Sequence, residues 1–329
     1  MIVPSITFLA TATTVHQAGG RVVFADVDPE TGLMTAATAA AAATRARQAG
    51  LRVAALAPVH LCGQTVDLPA LAAVAGEYGA EMVEDACHAI GAVDEWDGKT
   101  APVGGCRYSA MAVFSFHPVK TVAAGEGGAV LTNSTALARR LELLRNHGME
   151  KDPSRLTLAN MAFAADGAVN PWHYELHEAG YNYRLSDLHA ALATSQLRKL
   201  PRFVARRAAL RARYAAALAP LAPVVRLQPA VPRRQAAWHL AVALIDFAAL
   251  GLARPALMAD LRQRRIGSQV HYIPVHRQPF WRNRAGAPAD LPGADAYFHS
   301  ALSLPLFTSM TEADVDRVAA ALAEIVQKG

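Results

Sequence analysis

The chain has 329 residues, of which 53% are hydrophobic and 18% charged, and this composition excludes an intrinsically disordered protein. Its net charge of +5 comes from scattered arginines, which favours a solvated surface over a nucleic-acid site. The apolar stretches are too short for the roughly 20 residues of a bilayer span, and no signal peptide is recognisable, so no membrane partner is expected. Three cysteines without metal-ligand spacing predict a reducing, cytoplasmic location and no metal site.

Over the first two-thirds of the chain, short apolar runs alternate with helical stretches, as in parallel strands joined by crossover helices. The predicted strands are 21–27, 53–58, 81–84, 110–116 and 128–132, and the predicted helices are 36–49, 68–78, 137–146, 186–197 and 202–218. A proline-rich stretch at 220–232 marks a boundary. The sequence therefore predicts a large α/β domain over residues 1–219 and a smaller α+β domain over residues 220–329.

The smaller domain is predicted to contain strands and helices in alternation. They are a strand at 238–246, a helix at 255–264, a strand at 268–272 and a final helix. The final helix begins with Thr311 and Asp314, spaced as in a capping box, in which the acid reaches back to the cap.

Polar residues at the ends of three predicted strands are the first candidates for a site, because ligands of open α/β sheets bind at the carboxyl ends of strands. Residues 59–64, which include His60 and Cys62, follow the strand at 53–58. Asp85 and His88 follow the strand at 81–84, and Ser115 and Lys120 lie at and beyond the end of the strand at 110–116. Each has an ordinary structural interpretation when taken alone: a helix cap, a half-buried histidine, a serine bonded to local backbone, an exposed lysine.

Lys120 is the most informative candidate, because only five of the 32 basic residues are lysines. A desolvated ammonium can lose its proton and attack a carbonyl, whereas a guanidinium stays protonated. An imine-forming lysine needs an electron sink, and proteins make pyridoxal phosphate into one by pairing a carboxylate with its pyridinium nitrogen. Asp85 is the candidate for that carboxylate.

Five motifs occur in order along the chain. They are Asp85-Ala-Cys-His88, Ser115-Phe-His-Pro-Val-Lys120 with Gly125-Glu-Gly-Gly128, Arg145-Asn-His-Gly148, Gly180-Tyr-Asn-Tyr-Arg184 and Leu302-Ser-Leu-Pro-Leu306. Together they resemble the DegT-type sugar-nucleotide aminotransferases, which are enzymes dependent on pyridoxal 5'-phosphate. The resemblance covers essentially the whole chain. It implies the aspartate aminotransferase fold, with a mostly parallel sheet in the large domain.

The resemblance also implies a role for each matching residue. Lys120 would form the imine with the cofactor and move the proton, and Asp85 would pair with the pyridine nitrogen. His88 would contact the face of the ring, and Ser115 would bind the phosphate. Asn182 would reach the phosphate of a neighbouring subunit, which implies a homodimer with shared active sites.

The segment 269–276, followed by 278–281, resembles the branch of the family that makes the pseudaminic acid precursor. Those enzymes aminate C4 of a UDP-linked 2-acetamido-2,6-dideoxy-4-ketohexose, and glutamate is the expected amino donor. The resemblance implies substrate contacts from His271 and Tyr272, and also from Tyr183 and Arg184. For His271 and Tyr272 the alternative is an aromatic strand that only packs the small domain onto the large one.

One part of the family pattern is expected to be lacking from this chain. Family members carry a helix and a Gly/Thr-containing turn before the first strand, and the turn donates backbone N–H groups to the cofactor phosphate. Here Met1 is followed directly by Ile2, Val3 and Pro4, through either a misplaced start or a truncation.

Several alternatives stay open at this point. The first is amination of a different keto-sugar nucleotide, and the second is a truncated, non-catalytic regulator that binds the cofactor or a sugar nucleotide. A nucleic-acid binder is the third, and it predicts steeply salt-dependent affinity. The related sugar dehydratases carry histidine in place of the lysine, so Lys120 favours amination over dehydration.

Overall fold

The computed structural model describes residues 1–96, 98–232, 234–282, 284 and 290–327. In chain order its strands are β1 (Ile2–Pro4), β2 (Val23–Ala25), β3 (Ala55–Leu56), β4 (Glu81–Asp85), β5 (Val93–Trp96), β6 (Lys99–Pro102), β7 (Met111–Ser115), β8 (Gly128–Leu131), β9 (Met149–Glu150), β10 (Glu175–Leu176), β11 (Val225–Leu227), β12 (Arg234–Gln235), β13 (Ala241–Ile245) and β14 (Ala301–Leu304). Its helices are α1 (Leu9–Gln17), α2 (Ala36–Gln48), α3 (Leu68–Glu77), α4 (Thr135–Arg145), α5 (Ala159–Ala162), α6 (Asp187–Leu197), α7 (Leu200–Leu218), α8 (Arg254–Gln263), α9 (Pro279–Arg282), α10 (Pro292–Ser300) and α11 (Glu312–Val326).

A six-stranded sheet with the order β2-β1-β3-β4-β7-β8 forms the centre of the first part of the chain. The pairs from β2 to β7 are parallel, and β8 joins β7 in the antiparallel direction. The carboxyl ends of β1, β3, β4 and β7 therefore meet at one edge of the sheet. This arrangement confirms the predicted α/β fold with a mostly parallel sheet.

Helix α2 shows how an alanine-rich sequence forms a crossover helix. Thr35 and Thr38 close a capping box at its start, which stabilises a helix by about 1 kcal/mol. Its buried residues recur at helical spacing and are Ala39, Ala42, Ala43 and Ala46. These small side chains let the helix lie close against β2.

The C-terminal part contains an antiparallel sheet, β11-β13-β14, with α7, α8 and α11 packed in one hydrophobic cluster. In β13, Val242 and Leu244 join the core of the parallel sheet, whereas Ala243 and Ile245 join the C-terminal cluster. Successive side chains of β13 point to opposite faces, so the strand contributes to both cores. The boundary between residues 219 and 220 stays a prediction.

Two elements predicted for the C-terminal part can be compared with the structure. The capping box at Thr311 and Asp314 is confirmed, since each side chain accepts the other residue's backbone N–H. The predicted strand at 268–272 was wrong, because only Gln269 forms a bridge, to Ser303. His271 bonds instead through its ring to the Ser303 hydroxyl, at 2.8 Å, and Pro274 has no N–H to continue a ladder.

Within the described residues, no helix is both long and apolar enough to cross a bilayer.

Candidate active site

The predicted cofactor residues of β4 and β7 lie at the carboxyl edge of the parallel sheet. Asp85 is the last residue of β4, Ser115 is the last residue of β7, and Lys120 lies in the loop between β7 and β8. Gly127 allows this loop to close, because its φ is +127° and a Cβ there would lie 2.5 Å from a methyl carbon of Leu185. The loop therefore returns from Lys120 into β8 only with a glycine at this point.

The Asp85 carboxylate is held by two hydrogen bonds. The Thr11 hydroxyl donates to Oδ2 at 2.7 Å, and the Cys87 backbone N–H donates to Oδ1 at 3.1 Å. Thr11 is itself bonded to Thr7, at 2.8 Å between the two hydroxyl oxygens. Among the described residues Asp85 forms no salt bridge, so an oriented carboxylate is available for a cationic partner.

Lys120 is half-buried close to Asp85. Burial lowers the pKa of its ammonium group, and the negative charge of Asp85 opposes this effect only in part. A larger fraction of the amine is therefore neutral than in an exposed lysine, and a neutral amine is the form that acts as nucleophile or base.

His88 is only 7% exposed and has contacts on several sides. Its Nδ1 accepts the Cys62 backbone N–H at 3.4 Å, and its Nε2 lies 3.1 Å from the Tyr272 hydroxyl. The ring of His239 lies against it, with 4.5 Å between centroids. Burial, followed by the charges of His239 and Lys120, keeps the pKa of His88 well below its ordinary value, so the ring is neutral.

His271 and Tyr272 lie in the same group of side chains. The Tyr272 ring stacks on His88 at 6.1 Å between centroids, and the His271 ring meets the Tyr272 ring edge-on at 4.9 Å. Burial lowers the pKa of His271 to about 4, and the positive charge of Lys120 adds to this effect. The structure thus brings Lys120, Asp85, His88, His271 and Tyr272 together.

The other predicted residues form no described hydrogen bond or ring contact with this group in the protomer. The Ser115 hydroxyl accepts the His117 backbone N–H at 3.3 Å. Asn182, Tyr183 and Arg184 are exposed on a turn whose described hydrogen bonds are with residues 144–147; for example, Arg184 donates to the Asn146 side chain at 2.8 Å.

The comparison with known proteins places the chain in a family. A sequence profile of the DegT/DnrJ/EryC1/StrS aminotransferase family matches residues 1–323. The chain belongs to this family. It is therefore an enzyme, a sugar aminotransferase, and its cofactor is pyridoxal 5'-phosphate, as the sequence predicted.

Solved structures of aminotransferases have the same fold. Helicobacter pylori PseC, an aminotransferase involved in the biosynthesis of pseudoaminic acid, is 25% identical, with a TM-score of 0.84 over 100% of this chain and 80% of that one. S. venezuelae DesV is 30% identical, with a TM-score of 0.81 over 99% of this chain and 78% of that one. DesI, solved in the presence of its TDP-sugar product, is 31% identical, with a TM-score of 0.82 over 100% of this chain and 75% of that one. These similarities confirm the predicted fold.

The side chains of the aminotransferase site match the chemistry of pyridoxal phosphate. The cofactor has a basic ring nitrogen, an aromatic face, a phosphate and an aldehyde. Asp85 offers a carboxylate without a cationic partner among the described residues, and His88 offers a neutral aromatic ring. Lys120 offers an amine whose pKa is lowered. The residues present therefore fit the cofactor.

Two contributors to the site were not found from the sequence: Thr11 and the His239 ring. Cys62 lies in the strand-end segment 59–64, but the contact of its backbone N–H with His88 was not predicted. Thr11 follows β1, so the strand-end rule could have found it as well. His239 precedes β13 and carries no such signal. Its position depends on packing between residues that are far apart in the sequence.

Because the aminotransferase buries neutral histidines, we expect its free energy of unfolding to decrease as the pH falls. Histidines of the unfolded chain titrate near pH 6.5, whereas burial keeps the pKa values of His88 and His239 well below that value. As the pH falls below 6.5, the unfolded state binds protons that the folded state does not, so folding stability falls. We expect a loss of about 1 kcal/mol per histidine between pH 7.5 and pH 5.5.

Urea unfolding at the two pH values measures this loss. The variant His239→Phe should show a pH dependence that is shallower by about 1 kcal/mol, because one buried neutral imidazole has been removed. An unchanged pH dependence in this variant would contradict the assignment.

Proposed function

We propose that this enzyme transfers the amino group of glutamate to C4 of a UDP-linked 4-keto-6-deoxy-N-acetylhexosamine. The reaction is the UDP-4-amino-4,6-dideoxy-N-acetyl-β-L-altrosamine transaminase step of pseudaminic acid biosynthesis. One observation carries the chemistry: Lys120, Asp85 and His88 converge at the carboxyl edge of the sheet. The similarity to PseC supports the choice of sugar. We place the reaction in the cytoplasm, because the three cysteines are unpaired.

Each residue of the group has a task in this proposal. Bound pyridoxal phosphate supplies an electron sink for the negative charge that develops at the α-carbon of the amino acid. Asp85 keeps the ring nitrogen protonated, and Thr11 holds the carboxylate in place. His88 covers one face of the ring, and the Ser115 hydroxyl donates to the phosphate. Together these contacts fix the ring in front of Lys120.

Lys120 is the base of the proposed reaction. Its amine takes the proton from the α-carbon of the amino donor and delivers it to the C4′ carbon of the cofactor. The same proton transfer in the reverse direction, from C4′ to C4 of the sugar, completes amination of the keto-sugar. The amine must be neutral to accept this proton. Burial of Lys120 lowers its pKa and so raises the fraction of the amine that is neutral.

The sugar nucleotide is proposed to bind beside His88, where His271 and Tyr272 supply polar groups on aromatic rings. Tyr183 and Arg184 would contact the substrate from the neighbouring subunit, because their turn is exposed in the protomer. A TDP-linked keto-sugar is the second candidate substrate. The identity of 31% to DesI, which was solved with a TDP-sugar product, favours it.

An isotope-transfer assay separates the two substrates. The enzyme is incubated with pyridoxal phosphate, ¹⁵N-glutamate and either the UDP-linked 4-keto-N-acetyl sugar or a TDP-linked 4-keto-6-deoxy sugar. Mass spectrometry then measures ¹⁵N in the sugar. We expect kcat/KM to be at least about tenfold higher for the UDP-sugar. This ratio corresponds to a difference of about 1.4 kcal/mol in transition-state binding free energy. A preference for the TDP-sugar would favour the second candidate, and no ¹⁵N in either sugar would contradict both.

We further propose that the enzyme is a homodimer whose subunits share active sites. The region around the Asn182 turn leaves several large apolar side chains exposed, among them Trp172 at 63%, Leu176 at 63% and Leu188 at 84%. Apolar patches of this kind on a soluble protein mark interaction surfaces. A second copy that covers this surface would place its Asn182 turn at the phosphate.

Replacing Leu188 with aspartate tests the homodimer. A charge on this apolar surface should shift the protein from a dimer to a monomer of 34.9 kDa, as measured by sedimentation velocity. Pyridoxal phosphate should then bind at least about tenfold more weakly, because the partner's phosphate contact is lost. Ala216→Asp, on an exposed position of α7, is the control and should leave both properties unchanged. A dimeric Leu188→Asp protein would contradict this interface.

A further inference from the structure

His88 is held by groups from two distant parts of the chain. The backbone N–H of Cys62, in the turn after β3, donates to Nδ1, and Tyr272, after α8, bonds to Nε2. Both ring nitrogens are therefore used. Tyr272 also stacks on the imidazole, with an interplanar angle of 25°.

The Cys62 turn is itself fixed in one conformation. Cys62 has a left-handed φ of +62°, and its carbonyl accepts the His239 backbone N–H at 2.9 Å. The following Gly63 has a φ of +91°, and a Cβ there would lie 2.0 Å from the carbonyl oxygen of Ala237. The donor that faces His88 is therefore anchored by close backbone contact with the segment 237–239.

These contacts determine which tautomer of His88 is present. A backbone N–H can only donate, so Nδ1 of His88 must be an acceptor and carry no proton. A neutral imidazole then carries its proton on Nε2, and this N–H donates to the Tyr272 hydroxyl oxygen. The phenol hydrogen of Tyr272 must point away from His88.

His239 constrains the position of the ring without a hydrogen bond to it. Its ring lies 4.5 Å from that of His88, and its own Nδ1 is buried without a hydrogen-bond partner among the described residues. It therefore limits ring tilt by packing but does not select a tautomer. Among these side chains, Tyr272 makes the hydrogen bond that depends on the His88 tautomer.

We infer that Tyr272 is a positioning residue for His88: its hydroxyl oxygen accepts from Nε2 and holds the imidazole, whose tautomer the Cys62 N–H fixes, in one orientation. The inference rests on the proposed role of His88 at the face of the cofactor ring. It gives Tyr272 a task that differs from contact with the sugar. A residue of the C-terminal part thereby orders the cofactor site before any substrate binds.

Nitrogen NMR of the apoenzyme tests the inference without enzymatic turnover. The protein is labelled with ¹⁵N-histidine, and His88→Gln identifies the His88 signals by their loss. In the wild-type protein we expect His88 to carry its proton on Nε2. In Tyr272→Phe, which keeps the ring and removes the hydroxyl, we expect the Nε2 signal of His88 to shift because its hydrogen-bond acceptor is lost, while Nδ1 stays unprotonated opposite the Cys62 N–H. Pyridoxal phosphate should bind about 3- to 10-fold more weakly to this variant, the effect of one lost hydrogen bond.

Tyr297→Phe is the matched control. It removes another buried hydroxyl, which lies 3.9 Å from the Cys62 sulfur. This hydroxyl forms no described hydrogen bond with His88. Its His88 signals should be those of the wild-type protein. Unchanged His88 signals in Tyr272→Phe, or a proton on Nδ1 in the wild-type protein, would overturn the inference.

The test distinguishes this inference from the proposed function. If the cofactor becomes linked to Lys120 but Tyr272→Phe leaves the His88 signals unchanged, the inference fails and the aminotransferase proposal stands. If the His88 signals respond as expected but the cofactor does not become linked to Lys120, the positioning contact is supported and the proposed role of Lys120 fails.

Discussion

Replacing Lys120 with arginine is expected to lower kcat/KM for amino transfer by at least about 10⁴-fold. Arginine keeps the positive charge and most of the side-chain length, but its guanidinium stays protonated and can neither attack an aldehyde nor accept a proton. The measurement is transfer of ¹⁵N from glutamate to the keto-sugar under single-turnover conditions. Because the rates of the wild-type protein and the variant can be compared only at equal cofactor content, the cofactor bound to each protein is measured first.

Lys199→Arg is the control for this substitution. Lys199 is exposed before α7, so the same chemical change there should leave kcat/KM unchanged. If Lys120→Arg retained more than about a hundredth of the wild-type rate, another residue would have to act as the base. That result would contradict the assignment of Lys120.

Replacing Asp85 with asparagine is expected to have the next largest effect, a decrease of about 10²- to 10³-fold in kcat/KM. Asparagine preserves the shape of the side chain, and its single oxygen can still accept from the Cys87 N–H while its NH2 group donates to the Thr11 hydroxyl oxygen, but it carries no charge. The ring nitrogen then loses the carboxylate that keeps it protonated, and the cofactor becomes a weaker electron sink. Initial rates and cofactor affinity measured on the same preparations separate loss of chemistry from loss of binding.

Thr11→Val provides a graded comparison with Asp85→Asn. It removes one hydrogen bond from the Asp85 carboxylate but keeps the charge, so we expect a decrease of about 10-fold or less. Equal effects of the two substitutions would mean that the orientation of Asp85, and not its charge, limits the reaction.

The main features of the fold and the centre of the site could be predicted from the sequence because they depend on local patterns. Apolar runs gave the parallel strands, and the residues that follow β4 and β7 lie at the sheet edge because strand direction alone places them there. Lys120 was conspicuous for a local reason too, as a lysine in a glycine-containing loop of an arginine-rich chain.

The second layer of the site could not be predicted in this way. The contact of His239 with His88 and the bond of Tyr272 to the same ring join residues from distant parts of the chain. The segment 268–272 has the composition of a strand, yet its polar side chains bond to the site and to Ser303, and a strand ladder does not form. Tertiary contacts decide its conformation, and no periodicity reports them.

The most direct test of the central claim is the identity of the residue that becomes linked to the cofactor. The protein is loaded with pyridoxal phosphate, reduced with borohydride, digested and analysed by mass spectrometry. We predict a single pyridoxyl-modified peptide, with the modification on Lys120. Modification of a different lysine, or no modification of a protein that has bound the cofactor, would contradict the proposed active site.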